Sequence, residues 1–300
     1  MIRRKTTLRS KSGGYGAQNG NGNGNPRALV DEVLYREHRS FLNATVPTGS
    51  WDPQYSGWTN ASRSKDHEIF LRAGIPVGGT PAPPINLGTA GNFAIFGFSG
   101  ITNVPTSAVV GDMGVDPISS ASITGFSLAL DGSGQFSTSA QVTGKVYAPD
   151  YSAPTPAKVV LAHNDLIAAY NSAQALVPTH PANFNAGILG GQTLTPGVWN
   201  WTTGVTIDSN LTLNGAGIYV FQIAGTMELA AGMSILLAGG ATAANVFWAI
   251  AGAVTLHATS TFNGELLAAT SISAQAGGVV NGRLLSQTAV ALNSNTVTEA

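Results

Sequence analysis

The chain has no cysteine, so neither a disulfide nor a thiolate metal site can form. Charge is scarce. Asp, Glu, Lys and Arg make up 10% of the 300 residues, against about 25% in ordinary globular domains. No run reaches the roughly 18 apolar residues of a membrane-spanning helix. The opening MIRRKTTLRSKSGGYG has basic residues but no apolar stretch behind them, so no signal peptide is visible. His38, His67, His163, His180 and His257 show no metal-ligand spacing. The glycine-rich GTAGNFAIFG lacks the lysine and the strand–loop–helix setting of a phosphate loop. These absences point to no cofactor, no metal, no nucleic-acid partner and no membrane.

Glycine is plentiful, with 37 residues, and Gly, Ala, Ser and Thr dominate the second half. Such a composition suits a turn-rich β protein. The net charge of −1 hides an asymmetry: residues 1–80 hold 11 of the 14 Lys and Arg, and residues 81–300 only Lys145, Lys158 and Arg283. Residues 1–27, ending in GNGNGNP, have too little apolar surface to offset chain entropy and read as disordered. The basic cluster Arg3, Arg4, Lys5, Arg9 and Lys11 there reads as part of a solvated tail. A short helical pattern covers 28–46, and the prolines of 78–85 mark a linker. The expected division is an N-terminal extension, 1–85, and one domain, 86–300. That domain comprises an N-terminal coil (86–150), a helix (154–177) and C-terminal coils (194–300). Asn43, Asn60 and Asn210 begin N-glycosylation sequons.

The helix is predicted from one stripe. Val159, Ala162, Leu166, Ala169, Tyr170, Ala173 and Val177 recur at steps that favour one helical face, Thr155 is a candidate N-cap, and Pro178 stops the run. A single apolar stripe in a β-rich chain implies docking onto a sheet.

Residues 263–292 nearly repeat themselves: Asn263-Gly264 returns as Asn281-Gly282, and Leu266-Leu267 as Leu284-Leu285, 18 residues on. Rows starting at 198, 218, 246, 265 and 283 share this pattern. Self-similarity of fixed period is the mark of a solenoid, and three short strands per row make a triangular β-helix. The segment 93–115 fits the same template, with Thr102 at the place of Thr255.

Strand side chains alternate in and out. In the second strand of each row, Val205/Ile207, Met227/Leu229, Val254/Leu256, Ile272/Ala274 and Val290/Leu292 point inward. One outward column is then Thr206, Glu228, Thr255, Ser273 and Ala291, extended by Thr102. The next is Asp208, Ala230, His257, Gln275 and Asn293. Rows about 4.8 Å apart and outward neighbours about 6.8 Å apart make a grid of short side chains at ice-like intervals. The bland alternative is a solvated sheet rich in Thr because strands favour it. Glu228, Asp208 and His257 interrupt the grid. Asp208 and Glu228 also allow an acid–nucleophile pair acting on polysaccharide, and an adhesin or structural β-helix would share every feature of the rows. Trp199, Trp201 and Trp248 fall where they would face the core or the helix.

The segments LGTAGNFAIFG (87–97), GDMGV (111–115), LTPGVWNWT (194–202), YVFQIAGTM (219–227), NVFWAIAGAVTL (245–256), FNGELLAATSI (262–272) and NGRLLSQTAVAL (281–292) resemble, in order, the ice-binding (antifreeze) β-solenoid family of snow moulds, yeasts, diatoms and bacteria. The fungal antifreeze proteins are nearest in likeness. The resemblance implies a mainly β fold, a right-handed β-helix with one long α-helix alongside. It further implies that the 93–115 coil stacks on the C-terminal coil, out of sequence order. It implies a non-enzymatic, secreted monomer whose partner is the ice crystal surface, bound through the flat face away from the helix. On this chain that face carries Thr102, Thr206, Glu228, Ala230, Thr255, His257, Ser273, Gln275, Ala291 and Asn293.

Overall fold

The computed structural model describes residues 82–300. The disorder expected over 1–27, the helical pattern over 28–46, the sequons at Asn43 and Asn60, His38, His67 and the first half of the linker (78–81) lie outside these residues. At the linker's end, Ala82 and Ile85 are buried in the cluster beneath the helix.

Among the described residues there are 22 strands, and apart from the antiparallel pairings of Ala129–Leu130 and Ser137–Ser139 they wind as stacked turns with three sides. Every pairing between turns is parallel, because each turn lies on the next in the same direction. The inward residues expected from alternation are all buried: Val205, Ile207, Met227, Leu229, Val254, Leu256, Ile272, Ala274, Val290 and Leu292. The side beneath the helix stacks Trp199, Phe221, Trp248, Leu266, Leu284, Ile95 and Met113 in one register. Trp201 and Trp248 are fully buried, and Trp248 stacks on Phe221 with ring centroids 4.0 Å apart. Trp199, Trp201 and Trp248 therefore fill the core, as their place in the rows implies.

The repeated Asn-Gly has a structural reason. Strands Thr261–Ala268 and Val279–Ser286 run round a corner unbroken, so two sides join into one twelve-stranded sheet. Gly264 and Gly282 sit at that bend with φ of 132° and 143°, a region closed to most L side chains. A Cβ on Gly282 would strike the carbonyl of Gly264 in the turn beside it. The asparagines stack as well, Asn281 Nδ2 donating to Asn263 Oδ1 at 3.0 Å.

The turns are not in sequence order. Ile95 pairs with Leu284, Thr102 with Ala291 and Ala108 with Thr296, so the N-terminal coil lies on the last C-terminal turn. Polar groups pin this seam. Arg283 donates from Nε to the Gly91 carbonyl at 2.9 Å and from Nη1 to Glu265 Oε1 at 2.7 Å, and it also pairs with Glu299. At another corner Ser107 Oγ donates to Asn103 Oδ1 at 2.7 Å and accepts from the Asn295 amide at 2.9 Å.

The helix, α1, spans Thr155–Gln174. Val159, Ala162, Leu166, Ala169 and Ala173 are buried against Val198, Val220, Phe247, Leu267, Leu285 and Phe96. The ends differ from expectation. Thr155 opens the helix rather than capping it, and its hydroxyl donates to the Gln135 carbonyl. Tyr170 is half-buried at the cluster's edge. Val177 lies beyond the helix and is 79% exposed. The cause is tertiary: Gln222, buried in the sheet, donates Nε2 to the carbonyls of Ala173 and Leu176, both at 2.8 Å. It thus satisfies carbonyls that helix continuation would have paired.

Candidate functional face

One side of the solenoid away from the helix is a seven-stranded sheet. Its seven strands run in the order Val205–Ile207, Met227–Leu229, Val254–Leu256, Ile272–Ala274, Ala289–Asn293, Gly100–Val104 and Ile123–Thr124. The first six each present a residue outward between buried neighbours, and in the seventh Thr124 follows buried Ile123. Register places Thr206 beside Glu228, Glu228 beside Thr255, Thr255 beside Ser273, Ser273 beside Ala291, and Ala291 beside Thr102. The column read from the rows is therefore a physical line of neighbours, and its join from Ala291 to Thr102 crosses the seam. The second column, Asp208, Ala230, His257, Gln275 and Asn293, follows from the same registers, one residue beyond the paired Ile207, Leu229, Leu256, Ala274 and Leu292.

Three members were not anticipated. Thr124 pairs with Thr102 at one end of the first column, and Ile188 bridges to Thr206 at the other. Val104 pairs with Asn293 and extends the second. Thr124 had a signal, since Ser122-Ile-Thr-Gly echoes Gly100-Ile-Thr-Asn. Ile188 had none: it leaves a short 3-10 turn, Phe184–Gly187, and joins the sheet through a single bridge.

The face is built of short, stiff side chains. Thr206, Thr102 and Thr124 are exposed, and Thr255 and Ser273, in mid-sheet, are partly exposed. β-Branched threonine loses little freedom when its strand is fixed. Charge gathers at one end. Glu228 Oε2 lies 3.8 Å from His257 Nε2, and His257 Nδ1 lies 3.3 Å from Gln275 Oε1. Asp208 and Glu228 stand diagonally on neighbouring strands, both exposed on the open sheet. A surface depression of about 490 Å³ lies away from these acids, beside the end strand Ile123–Thr124, between Ser120, Ile123, Leu130 and Tyr151, and no carboxylate lines it. Among the described residues, Lys158 pairs with Asp112 and Arg283 with Glu265 and Glu299, away from this sheet.

A stack of in-register turns, flanked by one helix and faced by a Thr/Ser/Ala ladder, has counterparts. The family model described as ice-binding-like matches residues 95–298. The chain belongs to that family. An ice-binding protein of Flammulina populicola is 49% identical over 216 residues, covering 71% of this chain and 87% of its own. Ice-binding protein K3-B1 of Typhula ishikariensis is 42% identical over 201 residues, 66% of this chain and 82% of its own. Among solved structures, the glycosylated ice-binding protein LeIBP of an Arctic yeast superposes with a TM-score of 0.71 at 43% identity, covering 74% of this chain and 96% of that one. A Shewanella frigidimarina ice-binding protein domain gives 0.68 at 29% identity. The matched span is the β-solenoid with its helix, including the displaced N-terminal coil.

Proposed function

We propose that this protein adsorbs to ice through the seven-stranded sheet and holds back further crystal growth. The observation that carries the reading is the unbroken outward ladder, assembled in register across the seam from Thr255 through Ala291 to Thr102. Ice is a rigid, uncharged lattice. A surface that meets it gains from every methyl and hydroxyl held in place beforehand, because little side-chain freedom remains to be lost on contact. An adsorbed plate forces the ice front to bulge between neighbouring molecules, and curvature makes further growth less favourable. The reading calls for no cofactor, and one chain presents the whole ladder, so a monomer suffices. The open setting of Asp208 and Glu228 favours a solvated pair over a hydrolytic one. Extracellular action is part of the proposal and rests on likeness to the ice-binding family.

Thermal hysteresis and crystal shaping by the full chain test it, with Thr255→Tyr as the probe. Tyrosine reaches well beyond threonine, and neither the sheet nor the lattice can bend round it. The variant is expected to lose most of its hysteresis at unchanged thermal stability. Full activity in a folded Thr255→Tyr protein would remove this sheet from the ice contact.

A further inference from the structure

The first outward column has eight members, and its two halves differ in kind. At one end Ile188 and Thr206 lie beyond Glu228, with Asp208 beside them. At the other the strands carrying Thr255, Ser273, Ala291, Thr102 and Thr124 bear no acid, lysine or arginine on this face. Val104, 58% exposed, closes the second column at that same end.

Carboxylates hold water tightly and in orientations a crystal lattice does not supply, so pressing one against ice strips hydration without a replacement partner. Glu228 cannot be neutralised within the sheet by more than His257, whose nearer ring contact is to Gln275. Methyl-bearing and hydroxyl-bearing side chains have the opposite balance. An exposed valine gains by leaving water, and a threonine can meet lattice water with both of its groups.

We infer that ice contact is confined to the five strands from Val254–Leu256 to Ile123–Thr124, with Thr124 and Val104 as contact residues and the Asp208–Glu228 strands outside the patch. This rests on the ice-adsorption reading above and narrows it. By strand spacing the patch is about 19 Å long. It is made jointly by the C-terminal turns and the displaced N-terminal coil, so neither part holds it alone.

The ends of the column supply the test. Ile188 and Thr124 are both exposed, lie in the same column and flank it symmetrically. In the full chain, Thr124→Tyr is expected to lower thermal hysteresis at least about fivefold, and Ile188→Tyr to change it less than about twofold. Val104→Asp, which adds a carboxylate without bulk, is expected to act like Thr124→Tyr. It also keeps the test decisive if the tyrosine variant fails to fold. Equal losses in Ile188→Tyr and Thr124→Tyr would show that the whole column touches ice and overturn the confinement. So would full activity in folded Thr124→Tyr and Val104→Asp. Absence of hysteresis in the wild-type chain would instead overturn the ice-adsorption reading itself.

Discussion

Glu265 is a deeply buried carboxyl group. It is 1% exposed, on a C-terminal strand between the strands that carry Phe247 and Arg283. Arg283 donates to Oε1 at 2.7 Å, while buried Oε2 has no hydrogen-bond partner. Burial pushes the carboxyl up from 4.5 to about 7 against the pull of Arg283, with Glu299 adding a smaller push the same way. The folded protein therefore keeps this proton over a range where the unfolded chain has lost it. Below about pH 4.5 both states are protonated and ionisation costs nothing. As pH rises towards about 7 the unfolded state gains from ionising, so the stability that this group supports is progressively lost. At about 1.4 kcal/mol per pH unit, the span from 4.5 to about 7 comes to about 3 kcal/mol. That is a large share of the 5–15 kcal/mol typical of a domain. Glu265→Gln mimics the protonated form and removes the ionisation. Urea unfolding of wild type and variant at about pH 4 and about pH 8.5 should show similar stabilities in acid. In base the variant should gain about 3 kcal/mol relative to wild type. A gap between the two that stays constant across this range would refute the account, since it would mean that Glu265 titrates alike in folded and unfolded chains.

Other outcomes follow from packing. Gly282→Ala places a Cβ against the Gly264 carbonyl at positive φ, and a loss of about 2 kcal/mol or more in chemical unfolding is expected. An unchanged midpoint would contradict the corner geometry. Trp248→Ala empties a fully buried site stacked on Phe221 and should cost about 3–5 kcal/mol, read as a lowered urea midpoint. Gln222→Leu leaves the Ala173 and Leu176 carbonyls unpaired in a buried place, at an expected cost of about 1–3 kcal/mol. Hydrogen exchange should localise that loss to the C-terminal turn of the helix.

The repeating rows, the inward residues, the helix stripe and most of the outward columns were determined by the sequence alone. Each is a local pattern: a strand exposes alternate residues, and a helix buries one stripe, whatever lies next to it. Thr255 and Ser273 could be placed on one line because consecutive turns differ by one 18-residue step. Other features needed the tertiary structure, because they arise between segments with no fixed separation in the chain. The Ala291–Thr102 join, between residues 189 positions apart, was implied by the family resemblance, and the structure supplied its register. Ile188 entered the face through one bridge to Thr206. The helix stopped at Gln174 because a side chain from the sheet took over its last carbonyls. Glu265 reads in the sequence like any surface acid of a strand. Only packing between the folded turns removes its water, and removal of water is what raises its pKa.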